Sequence, residues 1–105
     1  MITEEELLRD YRYQRTQLEE QEDELRRGER SVYDMIEQAT NEIRYMLLEV
    51  DGNVSEASDF YHYRLNHLSQ QMTEAFETEK KAVQTKIEQS ELAFNQKLRQ
   101  LQERD

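Results

Sequence analysis

The chain has 105 residues, of which 36% are charged and 35% are hydrophobic, and its net charge is -10. This composition allows one small domain and excludes a thick hydrophobic core. The absence of cysteine excludes disulfide bonds and cysteine-ligated metals, and the acidic balance argues against nucleic acid and anionic membranes as partners, since both need clustered Lys and Arg.

The first predicted helix runs from about residue 4 to residue 50. Thr3 and Glu6 have the spacing of a capping box, and an acidic first turn suits the positive end of a helix dipole. Apolar residues then recur every seven residues, joined by others in the second half: Tyr11, Leu18, Leu25, Val32, Ala39 and Met46, with Ile36, Ile43 and Val50. Because charged residues flank the stripe before Val32, the second half is predicted to be better packed.

The predicted turn occupies Asp51, Gly52 and Asn53. Gly52 can adopt the left-handed conformation that ends a helix, and Asn53 with Glu56 has the spacing of a capping box that opens the next one. The second helix is predicted from about residue 54 to residue 103. Its apolar residues repeat every eleven positions, which indicates a nearly straight helix: Tyr61, Met72, Val83 and Phe94, and Val54, Leu65, Phe76, Ile87 and Leu98.

The two helices predict an all-α fold, an antiparallel two-helix hairpin of long, coiled-coil-like arms forming one domain. Folding about Gly52 pairs apolar residues along both arms: Ile43 with Tyr61, Ala39 with Leu65, Ile36 with Leu68, Val32 with Met72, Leu18 with Ile87, and Tyr11 with Phe94. It also places Gly28 opposite Phe76, where a small residue leaves room for a ring. Two alternatives remain: a break at Gly28 with Ser31 capping a third helix, and an unbroken helix through Gly52.

A two-helix hairpin buries one stripe on each helix and leaves other apolar residues outside it. A partner or self-association is therefore expected to complete the fold, and the surplus is densest beside the turn. The predicted partner-binding residues are Ile36, Ile43, Tyr45, Met46, Leu47, Phe60, Tyr61, Tyr63, Leu65 and Leu68.

No arrangement of residues indicates catalysis. His62 and His67 are five residues apart, about 140° around a helix, so they cannot share a metal ion as residues four apart could. The two glycines lie 24 residues apart and form no phosphate-binding loop, and the carboxylates are typical of a solvated helix face. We expect neither an enzyme nor a cofactor or metal site.

The length, the lack of cysteine, the central glycine turn and the glutamate-rich first arm resemble the small helical proteins of bacterial type VII secretion. The tryptophan of the WXG-type hairpins is absent, with Val50-Asp51-Gly52 at the turn. The chain more closely resembles the α-helical accessory proteins of LXG toxins. Tyr33 with Glu37 and Tyr45 with Glu49 match the Tyr-x-x-x-Asp/Glu export signal, but both lie in the first arm, so the signal role is not assigned to them.

The resemblance implies a targeting factor or chaperone that binds the helical LXG domain of a toxin, alongside a second small helical protein. The alternative is a self-assembling coiled coil, a homodimer or four-helix bundle. The first residues have no signal-peptide pattern and no run is apolar enough to cross a membrane, so we expect a cytoplasmic protein without membrane insertion. Export with its partner would use a signal-peptide-independent route.

Overall fold

A computed structural model describes residues 2–50 and 55–104. These residues contain two long helices, α1 at Glu4–Leu48 and α2 at Ser55–Glu103, and no strand. The predicted all-α fold with two long, antiparallel paired helices is confirmed. The predicted turn at Asp51–Asn53 lies outside the described residues.

The start of α1 is fixed by Thr3, as the capping-box spacing predicts. The Thr3 hydroxyl accepts a hydrogen bond from the Glu6 backbone N–H at 3.2 Å, and the Thr3 carbonyl accepts one from Leu7 at 3.0 Å. A side chain at this position satisfies an N–H that has no partner within the helix. Three glutamates in the first turn add favourable interactions with the helix dipole.

The end of α1 comes at Leu48, two residues before the predicted boundary. The N–H of Glu49 donates to the Met46 carbonyl, and the N–H of Val50 donates to the Leu47 carbonyl. Both bonds span three residues instead of four, which is the tightened final turn common at helix ends.

The helix α1 continues through Gly28, so the alternative with a break at this position is wrong. A methyl group added to Gly28 would lie 3.3 Å from Phe76 Cε1 and 3.6 Å from Cζ. The predicted contact between Gly28 and the Phe76 ring is confirmed. The glycine leaves room for the close approach of the ring and does not break the helix.

We expect Gly28→Leu to destabilise the fold, because its side chain would occupy the space that the Phe76 ring fills. A loss of about 1–3 kcal/mol is typical of overpacking, and chemical denaturation would measure it. Gly28→Ala is the control: its better helix propensity, worth about 1 kcal/mol, offsets the milder contact. In a chain that already carries Phe76→Ala, the Gly28→Leu substitution should cost much less stability than it does in the wild type. A Gly28→Leu variant as stable as the wild type would contradict the packing.

The helices contribute to two compact units, of which residues 1–25 and 78–105 form the first, here called the terminal unit. Its buried core consists of Leu18, Val83 and Ile87, with Leu25 packed against it, and Leu7 is also buried. The rings of Tyr11 and Phe94 stack with centroids 4.4 Å apart. The predicted antiparallel register is therefore confirmed in this unit.

The prediction that the first half of helix α1 packs less well is wrong. The charged residues beside the stripe do not prevent packing: Arg15 is half-buried, donates a hydrogen bond to the Tyr11 hydroxyl at 2.8 Å and lies 4.0 Å from Glu91. Long charged side chains cover apolar neighbours with their aliphatic stems. Hydrogen bonds to Tyr11 and Glu19 raise the pKa of Arg15 above its ordinary value.

The second unit, Arg26–Glu77, is called the middle unit. None of its described residues is buried; its inward-facing residues, such as Ile36, Ile43 and Leu47, are half-buried. The reason lies on α2, where small or polar residues occupy inward positions: Ser58, His62, Ser69 and Thr73. The middle unit therefore has an incomplete apolar core.

Four predicted positions in the seam are wrong. Met46 and Val50 are 60% and 55% exposed, and Tyr61 and Leu68 are 43% and 44% exposed. The inward positions of α1 follow Leu25, Ile36 and Leu47, which are eleven residues apart like those of α2. An eleven-residue repeat fits a nearly straight helix, so the seven-residue repeat moves off the interface before the helix ends.

Candidate protein-binding surface

The predicted partner-binding residues fall into two groups in the structure. The first group faces inward and is half-buried: Ile36, Ile43, Leu47 and Leu65. These side chains are used mainly to pack the middle unit itself. The second group is exposed: Tyr45, Met46, Phe60, Tyr61, Tyr63 and Leu68. Only the second group is available to a partner without a change in the helices.

Two of the exposed residues on α2, Phe60 and Tyr61, form a local cluster with Arg64. The ring of Phe60 meets that of Tyr61 edge to face, with centroids 5.6 Å apart. One turn later, the Arg64 guanidinium lies 6.0 Å from the centre of the Phe60 ring. Such contacts restrict the side chains before any partner binds, which reduces the entropy lost on binding.

The position of an exposed residue relative to an inward one determines the side of the helix pair on which it lies. On a helix, the residue before an inward-facing one points about 100° away from the direction of the other helix. When two helices run antiparallel, residues that precede inward-facing positions on either helix point to the same side of the pair. Met46 and Tyr61 precede the inward residues Leu47 and His62, so they share one side. Tyr63 follows His62 and lies on the opposite side.

Two further exposed residues share the side of Met46 and Tyr61. Met35 precedes the inward Ile36, and Leu68 precedes the half-buried Ser69. We call the surface formed by Met35, Met46, Tyr61 and Leu68 the methionine face. Sequence reasoning missed Met35, which is 64% exposed. The sequence feature that could have identified Met35 is its eleven-residue spacing to Met46, the same spacing as that between Ile36 and Leu47.

The remaining predicted residues point elsewhere. Tyr45 and Phe60 lie two residues before Leu47 and His62, which turns each away from the other helix. Tyr63 stacks parallel to His67, with ring centroids 6.3 Å apart. The predicted set is therefore spread over several directions, and three of its members lie together on the methionine face.

An open groove lies on the side of Tyr63. It is lined by Ile43, Arg44, Leu47, Leu48, Ser58 and His62. Its polar groups come from an arginine, a histidine and a serine, and the rest of the lining is aliphatic. This composition provides apolar contact area beside a few hydrogen-bonding groups.

Within residues 2–50 and 55–104, no group of three His, Cys, Asp or Glu side chains is placed to hold a metal ion. Neither of the helices described is long and apolar enough to cross a membrane.

Comparison of the chain with known protein families, with curated proteins and with solved structures found no match.

Proposed function

We propose that the chain is a non-enzymatic adaptor that binds the helical LXG domain of a toxin and targets or chaperones it to the type VII secretion system. The resemblance of the sequence to LXG accessory proteins suggests the partner. The exposed apolar surface of the middle unit supports the mode of action, which is the packing of helices against helices.

The observation that carries the proposal is the uneven distribution of apolar residues between the units. Among the described residues, all four buried hydrophobic side chains belong to the terminal unit. Of the fourteen large hydrophobic residues that are exposed in the described part of the chain, ten belong to the middle unit. Covering apolar surface contributes about 25 cal/mol per Å² removed from water, so a partner helix would stabilise the middle unit most.

The charge of the chain favours a different protein over a second copy. The middle unit has ten acidic and five basic residues, a net charge of -5. Two copies that meet through this unit would bring like charges together, whereas a partner with basic residues beside its apolar stripe would be attracted.

Coexpression with the LXG domain encoded nearest to this chain tests the proposal. We expect a complex that contains both proteins and survives gel filtration at micromolar concentration. An LXG domain from an unrelated locus serves as the control and should not copurify to the same extent. Elution of the chain apart from its neighbouring LXG domain would contradict the proposed function.

A further inference from the structure

We infer that the methionine face is the docking site for one amphipathic helix with basic residues on its flanks. The inference deepens the proposed function, on which it rests, by assigning the contact to one side of the middle unit. The occupant would complete a three-helix arrangement, because the groove between two packed helices accepts the apolar stripe of a third.

The register of the middle unit places the four residues at two levels. Gly28 contacts Phe76, and Ile43 lines a groove with His62. This register brings Met46 close to the level of Tyr61, and Met35 close to that of Leu68. Met35 and Met46 are about 16 Å apart along α1, since a helix rises about 1.5 Å per residue. A docked helix would therefore contact the face over about three turns.

The side chains of the methionine face suit a helix surface as a ligand. Methionine is flexible and polarizable, so it adapts to irregular apolar surfaces, while Tyr61 provides a ring held by Phe60. Between the two levels lie Glu42 and Arg64, each one residue before an inward position. These charged groups provide hydrogen bonds that would fix the register of the occupant.

The opposite side of the middle unit combines the open groove described above with exposed carboxylates. The residues that follow the inward Ile36 and Ser58 there are Glu37 and Asp59. Burial of a carboxylate beneath an apolar stripe costs free energy unless it is paired. The same side carries Tyr33 and Tyr63, which are as exposed as the methionines and so provide a matched control.

The net charge of -5 on the middle unit determines the chemistry of the occupant's flanks. A helix with lysine or arginine beside its apolar stripe is attracted by the net charge of the unit, and a second copy of this acidic chain is not. The attraction should weaken as salt screens it.

A designed peptide tests the face without knowledge of the natural partner. The probe is an 18-residue helical peptide with leucine on one face and lysine on the others, and a second peptide has glutamate in place of lysine. Fluorescence anisotropy with the full chain should show saturable one-to-one binding of the lysine peptide, and at least tenfold weaker binding of the glutamate peptide.

Two double variants show which side of the middle unit the peptide contacts. Each adds two glutamates, so the net charge changes by the same amount in both. Met46→Glu with Leu68→Glu should weaken binding of the lysine peptide at least tenfold, and Tyr33→Glu with Tyr63→Glu should change it less than threefold. Circular dichroism should show both variants as helical as the wild type, since all four residues are exposed.

Three outcomes would overturn the inference: equal losses in the two double variants, no saturable binding of the lysine peptide, or a homodimer that only the Met46 and Leu68 substitutions disrupt. The LXG coexpression separates this inference from the proposed function. If the peptide binds as expected but the LXG domain does not copurify, the face accepts a helix and the proposed partner is wrong.

Discussion

Replacement of Leu18 with alanine is expected to lower the free energy of unfolding by about 2–4 kcal/mol. Leu18 is buried and packs with Val83 and Ile87 in the only buried cluster that the described residues contain. The loss combines the transfer free energy of the removed methyl groups with the cost of the cavity they leave. Because small domains are stable by about 5–15 kcal/mol, this is a large fraction of the total. Urea denaturation would measure it.

Leu92→Ala is the matched control, since it removes the same atoms from an exposed position on α2. Its effect should stay within about 0.5 kcal/mol, as at most surface sites. If the two variants lost equal stability, the placement of Leu18 in a buried core would be wrong. An effect of Leu18→Ala below that of Leu92→Ala would contradict it more strongly.

Replacement of Tyr61 with alanine is expected to weaken binding of the proposed LXG partner by roughly 10- to 100-fold, while the free energy of unfolding changes by less than about 1 kcal/mol. The ring is exposed in the isolated chain and positioned by Phe60. Aromatic side chains that become buried at the centre of an interface contribute a large share of its free energy. Calorimetric titration and chemical denaturation of the same variant separate the two effects.

Tyr63→Ala provides the comparison, because Tyr63 lies two residues away on the opposite side of the helix pair and is also exposed. It should alter the affinity less than threefold. A Tyr61→Ala variant with unchanged affinity and unchanged stability would show that Tyr61 belongs neither to the packing nor to the partner-binding surface.

The fold follows closely from the sequence because local and long-range signals agree. The Thr3 cap, the contact between Gly28 and Phe76, and the stacking of Tyr11 on Phe94 are all predictable from spacing and register. Each depends on residue type and position along a regular helix. These features can therefore be predicted without knowing how the ends of the helices or their exposed side chains are arranged.

The surface could be predicted only in part, because a small error in period accumulates along a helix. The seven-residue and eleven-residue repeats coincide as far as Ile43 and then separate, so Leu47 turns inward where Met46 was expected. On α2, polar His62 takes the inward place assigned to Tyr61. A hydrophobic pattern favours the larger apolar residue at each step, and it misses inward positions that are small or polar.

Sedimentation of the chain at low micromolar concentration, alone and with the proposed LXG partner, tests whether the exposed surface of the middle unit binds a different protein or a second copy. We expect a monomer that is converted into a complex of both proteins when the LXG domain is added. A stable homodimer that ignores the domain would contradict it and would favour the self-assembling coiled coil.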